Sequence, residues 1–358
     1  MQISDVYKFA ESRGLVLNFD KCEAVISPSQ PSATSSISSE DVCIPLVDSA
    51  QCLGAWWTPS LSCSKWIDVN IKKARGAFFV RGQNIFLGLL NPLSSRSILE
   101  TCVMPVLLHG AESWILNESL LQKLESFQAE LAKRILRLPK FSSNRVARLA
   151  LKWPTVRGRV LCIKLTFLLK LLSREDSLSS RVFRSLSVSG IDSLLLVRQC
   201  RLLESIYETN LTSNIISSFS SFSAQSIKRQ VIDQDFTFQL NLAASDPSLR
   251  HVHAVAVSSE SSWPKVWDVA MDRGPSGTSS ALAMLKLLSL RPVSNNLCPV
   301  PNCKISVSDD SLSNHFIVSH TNLSISVEDC VYSLINCTDN IFSYGHVLHT
   351  VFKSLWSY

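Results

Sequence analysis

Two cysteines and two histidines carry the clearest chemistry in this chain. They lie in one stretch, Cys298-Pro-Val-Pro-Asn-Cys303 followed by His315-Phe-Ile-Val-Ser-His320. Four residues separate the cysteines, eleven separate Cys303 from His315, and four separate the histidines. Thiolate and imidazole are favoured zinc ligands, and four of them fill a tetrahedral shell. The chemistry implied is a structural Zn²⁺ site with no open position for catalysis. Pro299 and Pro301 stiffen the knuckle between the thiolates. The competing reading is two buried cysteines with two incidental histidines.

Such a site needs a short knuckle and then a helix, and the spacing is close to the C-x₂₋₄-C-x₁₂-H-x₃₋₅-H pattern of a ββα zinc finger. Val307 and Leu312 fall where a finger keeps its small apolar core. A module this short buries too little surface to fold alone, so the metal would supply much of its stability. Asp309-Asp310, between the ligands, imitates the apolar-x-Asp-Asp of a polymerase site but reads as the turn and N-cap of the finger helix. Cys330, Cys337, His346 and His349 read as part of an ordinary apolar helix rather than as a second site. His251 and His253 alternate on a strand-like run, which would turn both rings to one face.

The 358 residues are 46% apolar, enough for two or three compact units. The longest apolar runs, around 160–172 and 281–290, are broken by Lys164, Lys170 and Lys286. No membrane span and no amino-terminal signal are therefore expected. Eleven cysteines without a disulfide rhythm point to a reducing, intracellular setting, nuclear or cytoplasmic.

The charge is concentrated. From Lys123 to Arg174 there are thirteen Lys/Arg and two acids, a net +11 against +6 for the whole chain. That asymmetry predicts a polyanionic partner, RNA or DNA, held mainly through its phosphates. The candidate contacts are Lys133, Arg134, Arg137, Lys140, Arg145, Arg148, Lys152, Arg157 and Arg159. A solvated basic face is the competing reading, and Trp153 is expected in the core rather than stacked on a base. No small-molecule substrate is expected.

The elements follow from periodicity. Ser4–Arg13 has helical spacing and stops at Gly14. Residues 15–18 and 21–26 are strand-like, 27–41 read as a Ser/Pro-rich loop, and 42–47 with 51–57 read as another strand pair. Long helical patterns occupy 64–90 and 94–117. Leu120–Leu138 is amphipathic, with Leu120, Leu124, Phe127, Leu131 and Ile135 in one stripe, and Pro139 ends it. Residues 155–172 and 190–208 continue the helical pattern, and the serine-rich 211–226 reads as a connection.

Several of these segments together resemble one family. Gly14-Leu-Val-Leu-Asn18, Lys21-Cys-Glu23 and Cys52-Leu-Gly54 resemble the back edge of the palm in reverse transcriptases of non-LTR (LINE-type) retrotransposons. Pro105-Val-Leu-Leu-His-Gly-Ala-Glu-Ser-Trp114 resembles the thumb signature Pro-x-Leu-x-Tyr-Gly-x-Glu-x-Trp, with His109 in the tyrosine position. Trp263-Pro-Lys-Val-Trp-Asp268 and the finger match the carboxy-terminal layout, although His320 stands where many relatives have cysteine. The resemblance implies that Lys21 lies near an incoming triphosphate and that Leu53-Gly54 belongs to a primer grip. It also places the catalytic Asp-Asp motif upstream of Met1, on strands this chain lacks.

The fold class expected is α+β, mostly α. Residues 1–60 would be a remnant of an antiparallel palm sheet and 61–175 a basic helical thumb-like region. A helical region over 176–290 and a ββα zinc-finger module with a terminal helix over 291–358 would follow. The function expected is nucleic-acid binding without catalysis, since two-metal phosphoryl transfer needs paired carboxylates beside the primer end. The alternative is a single-finger C2H2 protein acting in DNA or protein binding. That alternative leaves residues 14–138 without a role.

Overall fold

A computed structural model describes residues 3–26, 36–39, 42–82, 90–174, 176–188, 190–246, 249–257 and 263–272, with isolated positions 281, 282, 285, 303, 305, 315, 318 and 319. Helix α1 (Ile3–Ser12) ends as its sequence predicts. Leu15 N–H donates to Ala10 C=O at 2.9 Å and Gly14 N–H to Glu11 C=O at 3.0 Å, with Gly14 at φ +68°. This is a Schellman ending, which uses the one residue that enters the left-handed region without strain.

The strands that follow differ from the expected pairing. Residues 15–18 form no strand. A 3₁₀ turn at Phe19–Lys21 follows, and the next run makes one parallel bridge, Ala24 to Leu46. Ala24 spends both backbone groups on that bridge, accepting from Val47 N–H and donating to Pro45 C=O, so it cannot pair back onto 15–18. Part of the predicted loop is strand β1 (Ser36–Ser39), antiparallel to β2 (Val42–Pro45). Strands β3 (Ala50–Cys52) and β4 (Ala55–Trp57) form a separate hairpin. Each strand thus pairs with its neighbour in sequence. In the second hairpin Leu53 (φ +49°) and Gly54 (φ +84°) both have the positive φ of a type I′ turn, whose twist matches that of the strands.

Helices make up most of the remainder. Helix α2 is Ser64–Arg81. The predicted 94–117 helix divides into α3 (Pro92–Cys102), α4 (Met104–Leu107) and a 3₁₀ turn at Ala111–Ser113. Pro105 lacks the amide a continuous helix would use, and Gly110 at φ +77° turns the chain away. Helix α5 (Glu118–Ile135) starts at Asn117, whose side chain accepts from Leu120 N–H at 2.9 Å. It buries Leu124, Phe127, Leu131 and Ile135, the predicted stripe, with Leu120 partly buried at its edge. Helices α6 (Asn144–Leu151) and α7 (Val156–Ser173) follow.

Helix α7 is the centre of the bundle. Val156, Val160, Leu161, Leu165, Leu168, Leu169 and Leu171 are buried over more than half of its circumference, while Lys170 and Ser173 are exposed on the other side. Helices α8 (Leu178–Ser187), α9 (Leu195–Glu204), α10 (Leu211–Ser218) and α11 (Ala224–Ala244) pack against it. The predicted connection at 211–226 is therefore helical over much of its length. Leu211 and Ile215 reach the core, and Ser223 with Ser226 forms a capping box that starts α11.

Helices α12 (Arg250–Val257) and α13 (Trp263–Asp272) close the bundle over α6. Trp263 and Trp267 stack at 5.7 Å, and Trp267 Nε1–H donates to Ala150 C=O at 2.7 Å. Their burial contributes about 2–3 kcal/mol apiece. The chain is thus mostly helical, with two small antiparallel sheets among the described residues. No helix among them is long and apolar enough to cross a membrane.

Candidate nucleic-acid interface and metal centre

The hairpin tip and the thumb-like signature meet in space. A Cβ on Gly54 would stand 2.9 Å from His109 Nε2, so the β3–β4 turn approaches the exposed His109 ring closely enough that a side chain there would displace it. Leu53 beside it is 96% exposed. Lys21 is exposed on the 3₁₀ turn that packs against β2.

Leu107, Leu108, Ala111 and Trp114 of the signature are buried. A Cβ on Gly110 would fall inside the Trp66 ring, and Trp66 meets Trp114 edge-on at 6.2 Å. Asn70 Nδ2 donates to Leu107 C=O (3.1 Å) and His109 C=O (3.0 Å), tying α2 to the turn after α4. Lys164 Nζ donates to Glu112 C=O (3.0 Å) and Trp114 C=O (2.8 Å) from the middle of α7. Burial pushes this ammonium down to about 8, partly offset by Cys200, Cys63 and Glu112. A lysine in the predicted basic tract thus holds backbone carbonyls in the core.

Much of the remaining positive charge is also engaged inside the fold. Arg148 pairs with Glu125, and both side chains are about 15% exposed or less. Glu125 also accepts from Arg157 N–H at 2.9 Å, at the amino end of α7, where its charge satisfies an otherwise unpaired helix amide. Burial still raises the Glu125 carboxyl pKa, against the pull of Arg148 and the Arg157 amide. Arg157 pairs with Glu118 at 2.6 Å, Arg159 with Glu100, and Arg145 with Asp246 at 3.6 Å.

Asp235 completes this end of α7. It is fully buried and accepts from Thr155 N–H and hydroxyl, Tyr207 hydroxyl (2.8 Å) and Gln239 Nε2 (2.9 Å). Trp153 is fully buried beside it and cannot stack on a base.

The carboxy end of α5 is built differently. Asp68 pairs with Lys123, Arg75 with Glu130 at 2.9 Å, and the Arg134 guanidinium lies 5.8 Å from both the Phe78 and Phe79 rings. These partners ascend together in sequence, so α2 and α5 run parallel and their carboxy ends lie side by side. Cations gathered there suit two helix dipoles at once.

Arg81, Arg137 and Lys140 are exposed at this end, and none has a side-chain ion pair or hydrogen bond among the described residues. Arg134 is shared between Glu130 (2.9 Å) and the phenylalanines. Lys133 donates to Lys140 C=O at 2.8 Å, and burial followed by Arg148 lowers its pKa. Phe141, 44% exposed, follows directly.

Two of the predicted contact residues occupy a costly conformation. Arg137 (φ +51°) and Lys152 (φ +47°) stand at the left-handed C′ positions that end α5 and α6, where glycine is the common choice. Both side chains are exposed, although Lys152 lies 5.1 Å from the Phe236 ring. The structure thus gathers Lys133, Arg134, Arg137 and Lys140 at one end and commits Arg148, Arg157 and Arg159, themselves largely shielded from water, to ion pairs. Arg81 was not among the predicted residues, because only the parallel register of α2 and α5 brings it there.

Two of the four predicted zinc ligands are described. Cys303 Sγ lies 3.5 Å from His315 Nε2, and Ser319 Oγ lies 3.3 Å from His315 Nδ1. With Zn–S near 2.3 Å and Zn–N near 2.0–2.1 Å, the sulfur–nitrogen edge of a zinc tetrahedron is about 3.5–3.6 Å. The pair therefore fits one edge of a zinc site. Cys298 and His320 lie outside the described residues, as do Asp309-Asp310, Cys330, Cys337, His346 and His349. Among the described residues no group of three or more His, Cys, Asp or Glu stands close enough to hold a metal ion.

His251 and His253 lie on helix α12, not on a strand, so the period-two alternation that would give them one face does not apply. Comparison of the chain with protein-family models, curated proteins and solved structures finds no match.

Proposed function

We propose that this chain binds nucleic acid, largely independently of sequence, as a non-catalytic C-terminal part of a LINE-type reverse transcriptase carrying a structural zinc finger. One observation carries the reading: Arg81, Arg137 and Lys140, exposed and without a carboxylate partner among the described residues, stand at the joined carboxy ends of α2 and α5, with Arg137 in a conformation that glycine would hold at lower cost. Strain kept at a surface residue marks a side chain retained for what it contacts. Phosphates are the partner that this chemistry fits, and either RNA or DNA supplies them. The hairpin tip at Leu53-Gly54, set against His109, fits a second contact along the same strand. The chain is proposed to hold nucleic acid and not to extend it.

The test is binding of a labelled duplex and a labelled single strand across a salt series. Each phosphate contact contributes about −0.9 to the slope of log affinity against log salt for duplex DNA and about −0.7 for a single strand. Replacing Arg81, Arg137 and Lys140 together with Gln should reduce the magnitude of that slope by about 2.7 on the duplex and about 2.1 on the single strand, at unchanged thermal stability. An unchanged slope in a folded triple variant would remove this surface from the reading.

A further inference from the structure

We propose that Ser319 is the positioning residue that holds the His315 ring in its metal-binding tautomer; this rests on the zinc reading above. Both ring nitrogens of His315 have a near neighbour, Cys303 Sγ at Nε2 (3.5 Å) and Ser319 Oγ at Nδ1 (3.3 Å). A neutral imidazole carries one N–H, and the hydrogen bond at one nitrogen decides which nitrogen keeps a lone pair. With Nδ1–H donating to the Ser319 hydroxyl, the Nε2 lone pair is left directed toward the Cys303 sulfur.

A thiolate and an imidazole lone pair on one side of a small space form half of a zinc shell. The hydroxyl behind the ring fixes its rotation as well as its tautomer. The spacing makes the arrangement local. His315 and Ser319 are both helical and four residues apart, the spacing at which side chains on a helix meet. The zinc pattern alone does not identify Ser319, since it lies between His315 and His320 at a position the ligand spacing leaves unspecified.

The experiment measures Zn²⁺ and Co²⁺ affinity of the full chain by chelator competition, for the parent and for Ser319→Ala, Ser319→Thr and Cys303→Ala. Ser319→Ala should weaken zinc about tenfold, at the low end of outer-shell effects because the hydroxyl is exposed, and Ser319→Thr should restore it. Nitrogen NMR of the zinc-loaded parent should show His315 protonated at Nδ1. Affinity within twofold of the parent in Ser319→Ala, or equal weakening by Ala and Thr, overturns the positioning role. Undiminished zinc binding in Cys303→Ala overturns the metal site itself, so the two failures are distinguishable.

Discussion

The amino end of α7 and the carboxy end of α5 belong to the same basic tract and use their cations in opposite ways. At α7, Arg148, Arg157 and Arg159 face Glu125, Glu118 and Glu100, and none of these arginines is more than 18% exposed. They are struts between helices. At α5, Arg137 and Lys140 reach water and meet no carboxylate among the described residues. A guanidinium shielded from water is retained only with a partner, because an unpaired charge there costs several kcal/mol. At the α5 end water solvates the charge and leaves it available to a phosphate. Net charge along a sequence therefore overstates the charge a ligand meets.

The largest effect expected from this contrast is on stability. Arg148→Ala would strand the Glu125 carboxylate and should destabilise the fold by about 3 kcal/mol in urea unfolding. An Arg148→Met/Glu125→Gln pair should recover most of that loss. A folded Arg148→Ala protein with parental stability and a flatter salt dependence would reverse the assignment of strut and contact.

Lys164 is the extreme internal cation, and pH tests it. Its pKa is lowered from 10.5 to about 8, so between those values the unfolded chain holds a proton that the native chain has released. Stability therefore rises with pH through that window, by about 3 kcal/mol in all and roughly 1 kcal/mol from pH 8 to 9. Cys63, Cys162 and Cys200, whose pKa values burial raises, act in the opposite direction as the unfolded thiols ionise from about pH 8 upward, so the difference between parent and variant, which share the thiols, isolates the lysine. Lys164→Met should lose the rise between pH 8 and 9, whatever its absolute stability. A parallel pH profile in the variant would mean that Lys164 keeps its proton in the native fold over this interval, and would weaken the comparison.

The smallest expected effect discriminates most finely. Arg137→Gly removes left-handed strain and should stabilise the fold by about 0.5–1 kcal/mol, while the salt slope falls by roughly one contact. Gain of stability with loss of binding is the signature of a contact residue. Loss of both would make Arg137 a strut like Arg148.

The sequence by itself determined what neighbours in the chain decide. Gly14 stops α1, the Leu124–Phe127–Leu131–Ile135 stripe seats α5, and Trp153 lies in the core, because capping and periodicity act over three to five residues. The approach of Cys303 to His315 was legible in their spacing as well, since residues twelve apart can meet through local geometry.

Tertiary structure alone decided the rest. Glu125 is 23 residues from Arg148, Glu100 is 59 from Arg159, and the β1–β2 pair replaced the one that periodicity favoured. Whether an arginine is a strut or a contact depends on the dielectric around it and on a carboxylate from another helix. The parallel register that brings Arg81 beside Arg137 is set by Arg75–Glu130 and by Arg134 against Phe78. Periodicity fixes which face of each helix is buried, but packing fixes which faces meet, and only that meeting decides where the charge remains free.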